Sequence, residues 1–416
     1  MKSFIALLAV LSCLTANAGK QTLNVLDFGA KGDGVTKNTA ALQKALDACG
    51  ENGGGTVLVP EGVFLTGSLR LSANTTLLLT PRTDLLGSPD IADYPLENTR
   101  WEGEFREGHR ALLWATNAAN LAISGGTIIG PPLPLSKLRT PRGPVLIELT
   151  GCTNTLLENF TSEYQQLWSI HALFCKDLTA RNLIIRSVKA NGDGMDVDSC
   201  DGVLIDRCDI NTGDDAISLK SGRGLAAQNL DRPTQNVVIR GCRLQSSGYA
   251  ALGLGTEMSG GIRHVQIQDC VIAGVQNAIF IKSREGRGGY MEDIVGENLT
   301  VLKSPTFVCI DLLKKGIQAT DPVTGDLDKW PRVGKISFKN VMVQDVGRLV
   351  DAENIPAARP LDGFALTDIS GTCGRGISIA NATNVEFSQI RVTGFSGPLV
   401  DATNTKGTGF GGSAAK

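Results

Sequence analysis

VLIDRCDI, residues 203–210, sets the reading of the whole chain. Its order is apolar, any, apolar, two others, apolar or cysteine, any, apolar. The same order stands at Leu121–Ile128, Leu178–Ile185, Val237–Leu244 and Val265–Ile272. A weaker copy starts at Thr155, and later ones at Ile294, Ile336, Phe364 and Val385. Successive starts lie 34, 23, 25, 34, 28, 29, 42, 28 and 21 residues apart. A repeat of this size marks a solenoid, and the longer intervals read as the same unit with inserted loops. Its short β-branched runs, with little helical periodicity, favour a parallel β-helix over a helical or leucine-rich array. The fold class is therefore all-β, a single-stranded parallel β-helix. The octet itself reads as one buried strand, Val203 to Ile210.

The cysteines keep the same register. Cys152, Cys175 and Cys200 each stand three residues before a repeat start, and Cys208, Cys242 and Cys270 each stand five after one. Stacked coils put each set in an internal ladder, where they serve as small buried hydrophobes rather than disulfide partners. No CxxC or His/Cys pairing suggests a metal site.

Working outward, Asn38 and Thr39 are N-cap candidates for a helix with the apolar stripe Ala41, Leu42, Ala45, Leu46 and Cys49. That short helix is placed to cover the N-terminal end of the solenoid, whose strand edges need protection. Residues 1–18, MKSFIALLAVLSCLTANA, read as a signal peptide: Lys2, an apolar core Phe4–Leu14 too short to span a bilayer, and Ala16-Asn17-Ala18 as the cleavage site. Cys13 as a lipid-anchored cysteine fits poorly, with Leu11 before Ser12. The mature chain is expected in the periplasm or outside the cell, with no membrane association. Nine cysteines remain after cleavage, an odd number that leaves at least one free thiol. No linker interrupts residues 19–406, which read as one domain, and Gly407 to Lys416 reads as a disordered tail. A monomer is expected. The formal charge of −2 argues against nucleic acid held by bulk electrostatics.

Around the octet lies the densest acidic stretch, NGDGMDVDSCDGVLIDRCDINTGDDAISLKSG at 191–222. Asp193 precedes the adjacent pair Asp214-Asp215 by 21 and 22 residues, close to one coil. Strands in a sheet stack about 4.8 Å apart, so these three carboxylates can face one another on neighbouring coils. Three such groups cannot all keep ordinary pKa values: one should hold a proton while another stays ionised. Glycoside hydrolysis needs that division, an acid for the leaving oxygen and a base for water. Calcium binding or turn capping is the competing reading, and it suits Asp196, Asp198, Asp206 and Asp209 better.

Asn191-Gly-Asp193-Gly, Gly213-Asp214-Asp215 and Ile281-Lys282, in that order, resemble the family 28 glycoside hydrolases, the polygalacturonase family. FGAKGDG at 28–34, LWSIH at 167–171, MDVDSC at 195–200, SLKSG at 218–222, GTEMSGG at 255–261 and GRGG at 286–289 add to the likeness, which runs from about residue 25 to 345. The resemblance implies a right-handed, pectin-lyase-like β-helix, inverting hydrolysis and no metal or cofactor. It implies Asp214 as general acid, with Asp193 and Asp215 activating water. One-coil spacing alone suggests a retaining pair, so the inverting expectation rests on the resemblance. The substrate it implies is a galacturonate-containing pectic polysaccharide or oligosaccharide.

Two positions depart from the family pattern. Its Gly-His-Gly motif is Gly248-Tyr249-Ala250 here, and the Arg of its Arg-Ile-Lys motif is Phe280, with Lys282 kept. An aromatic in place of a cation makes the subsite less selective for anions and offers a face for a deoxysugar, so a modified backbone such as rhamnogalacturonan is expected. Tyr249, Phe280 and Lys282 are the substrate-binding candidates. His171 is expected to line the cleft in the preceding coil, while Trp168 suits core packing or a sugar platform equally. Arg284, with Arg287, either adds charge for uronates or belongs to a solvated loop. A polysaccharide lyase on the same solenoid and a non-catalytic glycan-binding solenoid are the alternatives. The first wants a Ca²⁺ cluster and a basic proton acceptor, and the second is disfavoured by retention of all three acids.

Overall fold

A computed structural model of the chain describes residues 21–133, 141–165, 167–187, 189–313, 315 and 329–411. The signal-peptide expectation and Cys13 lie outside the described residues. Nearly every strand joins one parallel ladder that winds through three walls. The repeat starts pair coil by coil: Leu121 with Thr155, Thr155 with Leu178, Leu178 with Val203, and Val203 with Val237. Val265, Ile294, Ile336 and Phe364 continue the same row. Between Phe364 and Val385 the offset shows in side chains instead, since Thr383 and Ser388 bond Asp362 and Thr367, each 21 residues back.

The octet is two strands rather than one. Asp201–Asp206 lies on one wall and Asp209–Thr212 on the next. The turn between them needs a positive φ, +50° at Arg207, and Asn159, Asn182 and Asp269 take the same conformation at neighbouring corners. Asparagine and aspartate tolerate that region better than other side chains, which is why these corners read as polar interruptions. A second corner row holds Asn74, Asn120 and Asn154, whose amides bond in series at 2.8 and 2.7 Å.

Inward positions are apolar on every coil, including Val203, Ile205, Ile210, Val237 and Ile239, all essentially without exposure. Each such residue contributes about 1.5–3 kcal/mol over an exposed one. The six cysteines form the two ladders, with Cys200 Sγ 3.3 Å from the Cys175 amide and Cys242 Sγ 3.4 Å from that of Cys208. All nine described cysteines are free thiols.

The solenoid starts earlier than its octets. Thr22–Asn24 pairs with Gly55–Val59, which pairs with Thr75–Leu79. Those coils turn at Pro60 and Thr80-Pro81, so they lack the repeat's small or cysteine corner. The helix Thr39–Glu51 buries Leu42, Ala45, Leu46 and Cys49 against this end. Asn38 stands at its N-cap but spends its amide on the loop before it, bonding Lys31 and Thr36. At the other end the ladder runs on to Thr408, with Gly407 paired to Val385 and Phe410 stacked 5.8 Å from Phe387. Phe410 thus finds an aromatic partner one coil back, and residues 412–416 of the expected tail lie outside the described residues.

Candidate active site

The wall that matters here is made of Ile147–Thr150, Ile170–Leu173, Met195–Asp198, Ile217–Lys220, Ala250–Leu254 and Asn277–Lys282. Met195 pairs with Ile217, an offset of 22 residues that also separates Asp193 from Asp215. Both acids sit in the turns that lead into the wall. The coils approach so closely there that a Cβ on Gly194 would come within 2.4 Å of the Ala216 carbonyl. The glycine of this motif is thus a packing requirement.

One oxygen from each of Asp193, Asp214 and Asp215 lies within 4.8 Å of the other two. Thr212 and Ser246 hydroxyls donate to the Asp214 carbonyl at 2.6 and 2.5 Å and pin the acidic pair from both sides. The Asp214 side chain accepts from the Asn191 and Asp215 amides, at 3.1 and 2.9 Å. Asp215 is 1% exposed. Its Oδ1 accepts from the Ala250 amide at 3.1 Å and its Oδ2 from Lys282 Nζ at 2.7 Å. Gly253 makes room for it, since a Cβ there would meet Oδ2 at 2.4 Å.

Burial, then the Asp196 charge, pushes the Asp193 carboxyl well above the usual range. Burial and the neighbouring Asp215 raise Asp214 as well. Burial works against the Lys282 charge, but Asp215 outweighs it and raises the amine. The cluster has the geometry of a cation site, yet the Lys282 ammonium already contacts it at 2.7 Å. The donor set therefore carries its own positive charge, which disfavours a metal between these oxygens.

Tyr249 and Phe280 stand side by side, ring centroids 5.7 Å apart, and Lys282 Nζ lies 4.4 and 5.3 Å from those two rings. The structure thus brings these three residues to the acids. His171 is different. It pairs in register with Glu148 and Asp196, has no exposure, and lies under the edge of Trp168 at 5.0 Å. Burial and the charges of Arg142, Lys220 and Arg100 hold it far below the imidazole range, as a neutral ring. It does not line an open cleft, because Trp168 and Trp101, stacked at 4.2 Å, roof it. Arg284 is half-buried in the loop after Lys282, and its Nε donates to the Glu285 carbonyl at 3.4 Å. Arg287 is fully buried and donates to the Thr256 carbonyl at 3.1 Å, whereas Glu285, between Arg284 and Arg287, is exposed. Arg287 is therefore structural, and only the Arg284–Glu285 part of the loop meets solvent.

Sequence reasoning missed Lys220. It pairs in register with Asp198, and its Nζ lies 2.7 Å from Asp196, 3.9 Å from Asp193 and 3.9 Å over the Trp168 ring. Burial opposes its charge, but Asp196, Glu257 and Asp193 raise it well above the ordinary lysine value. A lone lysine ending a buried strand one coil after an acidic one was the available signal. Also missed was the antiparallel hairpin Leu96–Trp101 and Glu104–His109, which carries no repeat pattern. It lies against the wall and touches three successive coils, those of Trp168, Asp193 and Asp215. Trp101 stacks on Trp168, Arg100 reaches Asp198 at 3.4 Å, and Glu104 pairs with Arg223 at 2.5 Å beyond the wall's far edge.

Comparison with known proteins places this geometry in context. The profile of the family "Glycosyl hydrolases family 28" matches residues 49–346. A probable polygalacturonase of Vitis vinifera is 31% identical over 90% of this chain and 78% of its own length. An exo-poly-alpha-D-galacturonosidase of Dickeya chrysanthemi is 27% identical over 91% of this chain and 72% of its own. The crystal structure of a hyperthermoactive exopolygalacturonase from Thermotoga maritima superposes with a TM-score of 0.75, covering 93% of this chain and 91% of that one at 24% identity.

Proposed function

The chain belongs to the glycosyl hydrolases of family 28 and is a glycosidase, and we propose that it hydrolyses galacturonate-containing pectic chains from one end by a single displacement. The observation that carries this reading is the trio of carboxylates within 4.8 Å, one of them tied to Lys282. Asp214 is the least buried of the three and is raised in pKa, which suits the acid that protonates the leaving oxygen. A water attacks the anomeric carbon and gives its proton to Asp215, while Asp193 orients that water. After product leaves, Asp215 releases the proton it took to solvent and Asp214 takes one up, which restores both groups.

The oxygen spacing is shorter than the roughly 6.5–9.5 Å usual between inverting carboxylates. Inversion is favoured instead by the state of Asp215. It is 1% exposed and held by the Ala250 amide and Lys282, which leaves a lone pair within reach of a small water but keeps its oxygens back from the carbon of a bulky sugar ring. Proton NMR of fresh product tests this, since a retained anomer would sink it. Digestion of a panel of homogalacturonan and rhamnogalacturonan oligosaccharides, with products identified by mass, tests the substrate.

Attack at the chain end is suggested by the hairpin, which adds a wall of its own over the coils of Trp168, Asp193 and Asp215. The exo-acting activities named for the Dickeya and Thermotoga proteins agree with that reading. Tyr249, half-buried over the buried Phe280, supports a modified backbone of rhamnogalacturonan type, with Phe280 acting by withholding a cation. Equal or faster cleavage of unsubstituted polygalacturonate would refute that preference. Export after cleavage following Ala18 and a monomeric state complete the proposal, to be checked by N-terminal sequencing of the mature protein and by sedimentation.

A further inference from the structure

Beside the catalytic turns, on the adjoining wall, the surface holds a second concavity of ≈ 400 Å³. Leu86 and Ile129 pair in register on successive coils and form its apolar back, with Pro132 at the side. Tyr164 stands at its mouth, 71% exposed, in a segment where the ladder register shifts between Ser162 and Gln165. That bulge, with a φ of +55° at Tyr164, turns the ring outward instead of into the stack. A large ring left 71% exposed beside an apolar concavity is free to stack on a ligand.

The floor is shaped for a polar ligand. Gly130 keeps it low, because a Cβ there would lie 2.5 Å from Gln165 Oε1. Gln165 is 1% exposed; its Nε2 donates to the Pro144 carbonyl at 3.4 Å, and its Oε1 has no partner. A buried acceptor of that kind calls for a donor. Lys189 is the cation of the lining. Its carbonyl accepts from the Gly192 amide at 2.9 Å, in the turn that carries Asn191 and Asp193. The groove and the catalytic turn are therefore one continuous surface.

We infer that this groove is a second carbohydrate-binding site that takes a uronate-containing segment of the pectic polymer: a sugar face stacks on Tyr164, a hydroxyl donates to Gln165 Oε1, and a carboxylate pairs with Lys189. The choice of ligand rests on the pectic reading of the active site. Leu86 and Ile129 belong to a different wall from the strands that follow Asp193 and Asp215, so the segment held here is not the one being cut. Its effect is to keep polymer beside the catalytic turns and raise the local concentration of chain ends.

Affinity electrophoresis through gels containing polygalacturonate, rhamnogalacturonan or neutral galactan tests the site. The carrier is the Asp214→Asn chain, so binding is read without turnover. Tyr164→Ala should weaken retardation by the pectic polymers about tenfold, Tyr164→Trp should retain it, and Lys189→Gln should remove most of its salt dependence. In the otherwise native chain, Tyr164→Ala should leave kcat/KM on a trisaccharide unchanged. Unchanged retardation on both pectic polymers overturns the site, and so does a matching loss on the trisaccharide. Because binding is read separately from hydrolysis, a chain that binds through Tyr164 but cuts no pectic substrate would refute the proposed activity alone.

Discussion

Replacing Lys282 with methionine keeps the aliphatic stem and removes one charge. In the native protein that charge sits 2.7 Å from Asp215 Oδ2, between two residues that are 7% and 1% exposed. Removal leaves the Asp215 carboxylate with the Ala250 amide as its one remaining donor among the described contacts. Breaking a buried pair by deleting one partner costs about 3–5 kcal/mol, because the other charge stays behind without compensation. The stranded carboxylate can escape most of that penalty by taking up a proton. The deficit against the native chain should therefore be largest near neutral pH and shrink towards acid pH. Proton uptake also disables the base, so kcat/KM should fall about 10²–10⁴-fold at neutral pH, the range typical for loss of a general base. Urea denaturation at several pH values, alongside rates on an oligosaccharide, reads both effects. A deficit below about 1 kcal/mol that does not vary with pH would refute the view that Lys282 balances Asp215, and native rates would remove Asp215 from the chemistry.

Asp214→Asn should lose about 10²–10⁴-fold in kcat with the melting temperature kept, as measured by product release and calorimetry. Deleting hairpin residues 97–108 should let internal bonds be cut, seen as a faster fall in polymer viscosity per bond broken. Phe280→Arg should shift the ratio of rates towards unsubstituted polygalacturonate, measured on the same oligosaccharide panel. Asp196 is raised from 3.8 to about 7 by burial against the pull of Lys220, so its contribution to stability is full below 3.8 and is lost as the pH rises through about 7. Asp196→Asn should flatten that part of the stability–pH curve, and an unchanged slope would contradict the assignment.

Much of the fold was legible because stacking copies one coil onto the next. Val203, Val237 and Val265 fall in one row for the same reason that their sequences match: each must fill the same inward position. The corner inside the octet was not legible, since Arg207 offers no glycine or proline to mark a turn. The early coils carry no octet, because proline corners at Pro60 and Pro81 replace the repeat's own. At the site, the one-coil spacing of Asp193 and Asp215 was enough to bring them together. His171 could not be placed from sequence, because its burial depends on Trp101, 70 residues away in a hairpin outside the repeat. Lys220 escaped because its partners, Asp193 and Asp196, come from the coil before it.

A solenoid wall turns a spacing of one coil into a contact of a few ångström, and that has a cost which shapes specificity. Three carboxylates brought this close need cations, and the wall supplies Lys220 on the coil of Asp215 and Lys282 two coils later. Lys282 is then committed to Asp215 and is not a free partner for a substrate carboxylate. In a chain that kept an arginine at position 280, that second cation would be available for the substrate. Here the position holds Phe280, packed against Tyr249, with the Lys282 ammonium close to both rings. Tyr249, half-buried, is the ring a sugar would meet next to the acids, with Phe280 buried behind it at 2% exposure and the positive charge of Lys282 already balanced. The proposed preference for an apolar sugar face over a charged ring would then be tied to the charge balance of the carboxylate trio itself.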